Sequence, residues 1–256
     1  MFKFVRITIL SLILASVAST VLLQRNVSSG WIGTLDLRII PIVADDSPTT
    51  LSYVENLEQA DFDNIERYLI RQAARYKTDL SHGLNIRLSK PIYNVPPVTP
   101  RPDSSSLEIG LWSLSLRWWA WRNQPSDYHN SQIRLYVLYQ DTDGGVSLAH
   151  SIGLRNALIG LIYARVNDSN KEFDNVVITH ELLHIFGAVD KYDLFNGKPA
   201  YPDGYAQPNL MPVHPQNRAE IMGRSIPISE NRHEVAPRLK RTMIGPQTAK
   251  EIAWTK

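Results

Sequence analysis

Apolar positions along this chain follow two spacings, one of two residues and one of three to four, and the spacing names the element. From Thr34 to Val43 (TLDLRIIPIV) the pattern opens in alternation and closes as an Ile- and Val-rich run, which predicts a strand. Leu57 to Tyr76 sets Phe62, Ile65, Leu69 and Ala73 at the spacing of one helix face. Leu84 to Tyr93 alternates again and predicts a strand, weakened near Pro91, which has no backbone N–H to donate. Asn94 to Ser106, rich in proline and serine, is a loop, and Leu107 to Arg122 a second helix. Ile133 to Tyr139 (IRLYVLY) reads as a strand, and Asp141 to Gly145 (DTDGG) as a turn. Val146 to Val166 holds one or two more strands, the last of them Leu158 to Val166. Asp174 to Phe186 is a third helix. Asp190 to Gln216, dense in Pro, Gly, Tyr and Asp, is irregular, and a short helix near Gln247 to Trp254 closes the chain. This order predicts an α+β fold, a mixed sheet with helices followed by a small C-terminal subdomain.

Two stretches fit this pattern less simply. Leu111 to Arg122 (LWSLSLRWWAWR) has apolar residues on more than one helical face, with Leu111, Leu114, Trp118 and Trp121 on one and Trp112, Leu116 and Trp119 on another. Broad burial against the sheet is the expected reading; the alternative is an aromatic patch facing a membrane or a substrate. At the N-terminus, Lys3 and Arg6 precede Ile7 to Leu23, which carries no charge, and Arg25 ends the run. Its length falls between a signal-peptide core of about 7–15 residues and a spanning helix of about 17–25. An uncleaved single-pass anchor is the expectation, over cleavage after Ser16-Val17-Ala18 and secretion; both readings place the rest of the chain outside the cytoplasm. Residues 1–30 are thus targeting, and 31–256 one folded unit with an upper lobe to about residue 187 and a lower lobe from 188.

Composition narrows the chemistry. A net charge of +2, with only Arg238, Lys240 and Arg241 clustered near the C-terminus, does not make a nucleic-acid interface. The absence of cysteine excludes disulfides, thiolate metal sites and cysteine nucleophiles. A metal site in this chain must therefore use His, Asp or Glu.

Such a site is written between Thr179 and Asp193 (THELLHIFGAVDKYD). On a helix, His180 and His184 lie one turn apart on one face and can share a metal ion. Glu181 stands beside that ion, placed to take a proton from its water. Val176, Leu182, Leu183 and Phe186 form the opposite face, which would anchor the helix in the core. Gly187, just past the last turn, can adopt the left-handed conformation and turn the chain so that Asp190 returns as third ligand. Three protein ligands and one water make a catalytic zinc site, so one Zn2+ is the expected cofactor. Asp193, His214 and Glu220 are the competing third ligands, with Glu220 the candidate in a thermolysin-like arrangement. The remaining histidines, His82, His129, His150 and His233, fall in no ligand spacing.

His180, Glu181, His184 and Gly187 together resemble the metzincin group of zinc peptidases, whose extended motif is His-Glu-x-x-His-x-x-Gly-x-x-His followed by a tight turn with Met beneath the metal. Asp190 stands at the third His, as in the snapalysin-like branch, and Ile221-Met222-Gly223 looks like the Met-turn. The resemblance covers about Asp174 to Arg224. It implies a metzincin-like fold, with a mixed, mostly parallel sheet, a small irregular subdomain carrying Met222, and a peptide or protein substrate. Some members carry a Tyr two residues after the Met; Arg224 occupies that place here. Arg224, Tyr192, Tyr201 and Tyr205 are the candidates for stabilising the transition state. The expected activity is endopeptidase cleavage, with Glu181 as general base and membrane contact through the N-terminal segment only. Two alternatives stay open: a zinc hydrolase acting on a non-peptide amide, and a non-catalytic metal-binding ectodomain.

Overall fold

The computed structural model describes Arg6, Ile7, Ser11, Trp31 and residues 34–255 apart from 102, 128–130, 142–150 and 155–157. Most of the N-terminal stretch read as targeting, the DTDGG turn beyond Asp141, and His129 and His150 lie outside the described residues.

The run read from Thr34 becomes β1 (Leu35–Val43), whose two faces pack into different layers. Leu35, Leu37 and Ile39 enter one core, and Ile40 and Ile42 the other. β3 (Ile133–Gln140) and β5 (Ile159–Arg165) divide in the same way, Val137 and Ile162 to the first core and Leu138 and Leu161 to the second. A strand covered on both faces gains from apolar residues at every position, which is why these strands read as nearly continuous apolar runs. Among the described residues, five strands form the sheet in the order β2 (Leu84–Leu88), β1, β3, β5 and β4 (Ile152–Leu154). β2, β1, β3 and β5 are parallel, and β4 is antiparallel to β5 at the edge.

One face of the sheet is covered by α1 (Pro48–Glu55), α2 (Asp63–Ala74) and α4 (Lys171–Phe186). The other is covered by α3 (Ser106–Arg122). Helix α1 is absent from the sequence reading, although its start carries a local signal: Ser47 accepts a hydrogen bond from the Thr49 N–H at 3.2 Å, and Pro48 occupies the first turn. The helix expected over 57–76 is shorter. A 3-10 turn at Gln59–Asp61 precedes it, where the Asp61 carboxylate accepts from the Glu58 N–H at 2.9 Å. The strand expected to reach Tyr93 stops at Leu88, and a single bridge between Ile42 and Ile92 resumes the pairing beyond Pro91.

The Trp-rich helix departs from expectation. α3 buries Leu116, Trp119 and Ala120, with Trp112 partly covered, while Leu107, Leu111, Leu114, Trp118 and Trp121 face outward. The reason is geometric: the sheet covers one side of the helix, and apolar residues occupy both. Among the described residues, no helix is long and apolar enough to cross a membrane.

Past α4 the chain runs without a helix or named strand to residue 218. Short pairs follow, β6 (Ala219–Glu220) with β9 (Thr242–Met243) and β7 (Ser225–Pro227) with β8 (His233–Val235), and then α5 (Pro246–Glu251). This region closes on the main core instead of building a large one of its own. Ile221, Met222, Ile244, Ile252 and Trp254 pack there, and Trp31 donates from Nε1 to the Ile252 carbonyl at 2.8 Å.

Candidate metal centre

Helix α4 is buried on nearly all sides, with Val176, Leu182, Leu183 and Phe186 in the core, so its register is held rigidly. Gly187 ends it at φ 104°, and the Gly187 and Ala188 N–H groups return to the His184 and Leu183 carbonyls, both at 3.0 Å. A residue with a Cβ would be strained in that conformation. The turn sends Asp190 back beneath the two histidines.

The three side chains converge. His180 Nε2 is 3.1 Å from His184 Nε2, and Asp190 Oδ1 is 3.1 Å from the first and 3.2 Å from the second. The other nitrogen of each ring sets the tautomer. His180 Nδ1 lies 3.0 Å from the Ile221 carbonyl and His184 Nδ1 2.8 Å from the Ala188 carbonyl. A carbonyl only accepts, so both Nδ1 atoms carry the proton, and both Nε2 atoms present lone pairs to the Asp190 carboxylate. Three acceptors within about 3 Å of one another repel unless positive charge lies between them. The group of His180, His184 and Asp190 can hold a metal ion. Burial raises the Asp190 carboxyl, but when the two rings also carry a proton on Nε2 their hydrogen bonds and charge outweigh it and hold the group well below the usual range. For His184, burial lowers the imidazole, and Asp190 and Glu181 outweigh it and raise it.

The loop that carries Asp190 is fastened by a neighbour the sequence did not single out. Buried Lys191 pairs through Nζ with Glu251 Oε2 at 2.7 Å, and the same carboxylate oxygen accepts from the Val189 N–H at 3.0 Å. The Lys191 N–H donates to the Met222 carbonyl at 2.8 Å, tying the loop to the turn at Ile221–Gly223. That turn is also linked to His180 through the Ile221 carbonyl. Met222 is fully buried in the core.

Glu220 does not join the ligand group, contrary to the thermolysin-like possibility. Its carboxylate is fully buried and accepts from the N–H groups of Met222, Gly223 and Gly245 and from Thr248 Oγ1, at 2.6 to 3.0 Å. It organises the turn beneath the histidines. Asp193 holds a turn through the Phe195 and Asn196 N–H groups, and His214 Nε2 lies 3.2 Å from the Tyr205 hydroxyl.

Glu181 is buried beside the group, and its Oε2 has no hydrogen-bond partner among the described residues. Burial raises its carboxyl, against the pull of His180 and His184. Strand β4 lies directly against this stretch: a Cβ on Gly153 would stand 2.5 Å from the Glu181 carbonyl oxygen and 2.7 Å from His184 Cβ. Only a glycine permits that approach. In front of the helix, a cleft of about 490 Å3 is lined by Asp174, His180, Glu181, Tyr192, Ile221 and Arg224 among others. That volume suits a small ligand or one side chain of a larger one. A hollow of about 510 Å3 beside Asp45, Asp46 and Tyr93 contains none of the candidate ligands. Arg224, at φ 66°, puts its guanidinium carbon 5.8 Å from the centre of the Tyr192 ring. Tyr201 and Tyr205 do not line the cleft; they pack on each other, and Tyr205 also on His214.

No protein-family model and no curated protein matches this chain.

Proposed function

We propose that this chain is a zinc-dependent endopeptidase of metzincin type, with His180, His184 and Asp190 as ligands and Glu181 as general base. The observation that carries the reading is the triangle of acceptors. Its edges of 3.1, 3.1 and 3.2 Å are close to the edge of about 3.3 Å that a tetrahedral zinc with ligands at about 2.0–2.1 Å requires. The Nδ1–H groups donating to backbone carbonyls orient both rings, as metal-ligating histidines need. The Met222 turn, joined to His180 through Ile221, supports the metzincin assignment.

Bound zinc would supply a Lewis acid, lowering the pKa of a water to about 7 and polarising the substrate carbonyl. The protein's own groups do the rest. Glu181 accepts the proton of the attacking water on a carboxylate oxygen and delivers it to the departing amine nitrogen. Its burial favours the protonated form and so suits the second half of that exchange. Arg224 and Tyr192, both in the cleft wall, would be the groups to stabilise negative charge developing on the carbonyl oxygen. A peptide substrate is favoured over other amides by β4. Its outer edge pairs with no described strand, and it lies against Glu181 and His184. An extended peptide added to that edge would pass before the metal. The uncharged Ile7–Leu23 segment supports a place outside the cytoplasm, on a membrane anchor.

Elemental analysis of the full-length protein tests the site: about one zinc per chain is expected, lost in His184→Ala. Glu181→Ala should keep the zinc and cleave a peptide library roughly 10²–10⁴-fold more slowly. A folded wild type that takes up no zinc when it is offered, or a Glu181→Ala variant with full turnover, would overturn the reading.

A further inference from the structure

Helix α3 has two apolar faces, and among the described residues only one of them is covered. Leu116, Trp119 and Ala120 close on the sheet, with Trp112 at the margin. On the far side, Leu107, Leu111, Leu114, Trp118 and Trp121 recur at alternating steps of four and three, forming one stripe along the helix. They are 73, 59, 50, 60 and 66% exposed. A helix with apolar residues on two opposite faces belongs between two apolar media, and the protein core is one of them.

We propose that the second is a phospholipid bilayer surface, on which α3 lies in the boundary between headgroups and acyl chains with this stripe inserted. Leucine and tryptophan are the residues that interfacial helices bury, and no acidic residue interrupts the stripe. The one carboxylate of the helix, Glu108, is held at its N-terminus by Ser105. Exposed Arg122 stands at the edge of the stripe with its guanidinium carbon 5.3 Å from the centre of the Trp118 ring, placed to meet lipid phosphates. The stripe is convex, about 21 Å long and roughly one helix wide, about 10 Å, a shape that a fluid lipid surface can envelop.

The rest of the chain brings the bilayer within reach. The uncharged Ile7–Leu23 segment is separated only by residues 24–30 from Trp31, which is packed in the core, and seven residues span at most about 25 Å when extended. This tether rests on the membrane reading of that segment, and the metal site plays no part in the argument. The folded domain would be held beside the membrane.

The test uses the full-length protein in vesicles of phosphatidylcholine with a minor fraction of phosphatidylglycerol, the acyl chains brominated near the headgroup. Of the six tryptophans, Trp31, Trp119 and Trp254 are buried, so Trp118 and Trp121 dominate the response to an external quencher. Brominated lipid should quench wild-type fluorescence at least about twofold more than that of the Trp118→Phe/Trp121→Phe variant. Iodide in the water should quench the vesicle-bound wild type little. Leu114→Glu, a change at an exposed site, should lower the lipid quenching with both tryptophans present. Equal lipid quenching of wild type and double variant, or full access of iodide, would overturn the proposal. So would protection from iodide without lipid quenching, which would mean that a second copy or another segment covers the stripe.

Discussion

Replacing Asp174 with asparagine should change how stability depends on pH. Asp174 lies in the first turn of α4, 6% exposed, with Oδ2 lacking a hydrogen-bond partner. Burial raises its carboxyl from the ordinary 3.8 to about 7. The folded protein therefore holds a proton that the unfolded chain releases between these values. The group costs nothing below about pH 4, and its cost grows as the pH rises towards 7. A shift of about three units corresponds to about 4 kcal/mol at pH 8. That figure is an upper bound, because Asp174 lines the cleft and water reaches it from one side. Asparagine carries no charge at any pH but leaves a buried amide unpaired, at about 1–2 kcal/mol. The variant should be slightly less stable than wild type at pH 5 and about 2 kcal/mol more stable at pH 8. The difference between the two proteins should move by about 2–3 kcal/mol over that interval, read from urea unfolding followed by tryptophan fluorescence. If it moves by less than about 0.5 kcal/mol, Asp174 is ionised in the folded state and the argument from burial is wrong.

Two further substitutions probe what holds the site. Gly153→Ala would drive a Cβ against the Glu181 carbonyl and His184 Cβ; thermal unfolding should show a loss of about 1–3 kcal/mol, and chelator competition a weaker hold on zinc. Unchanged zinc retention would show that β4 does not constrain the ligands. Glu220→Ala would strand four buried donors, those of Met222, Gly223, Gly245 and Thr248. Denaturant unfolding should register about 3–5 kcal/mol, and a loss under about 1 kcal/mol would mean that the turn stands without it.

Much of the site was legible because it is local. The separation of His180 and His184 follows from helix geometry, and the left-handed turn at Gly187 from the lack of a Cβ, so both can be read within a window of about four residues. The strands were legible for a related reason: their apolar runs report burial on both faces. Helix α1 carried a local signal in Ser47-Pro48, but at eight residues it offers too short a pattern to stand out between β1 and α2.

What the tertiary structure alone decided are the encounters between distant segments. The sequence offered Glu220 only as a competing ligand, and its role as a structural acceptor emerges where Gly245 and Thr248 close on it. The Lys191–Glu251 pair and the approach of Gly153 to α4 join residues too far apart for any spacing rule to connect. The outward face of α3 is the same case in reverse. Its leucines and tryptophans have the period of a core helix, and only the position of the sheet determines which of its two faces is covered. By itself the sequence determined most of the elements and the clustering of His180, Glu181 and His184, because bonding within one helical turn dictates their spacing. Which side chains meet across the fold, and which face is left open, depended on how the chain closes on itself.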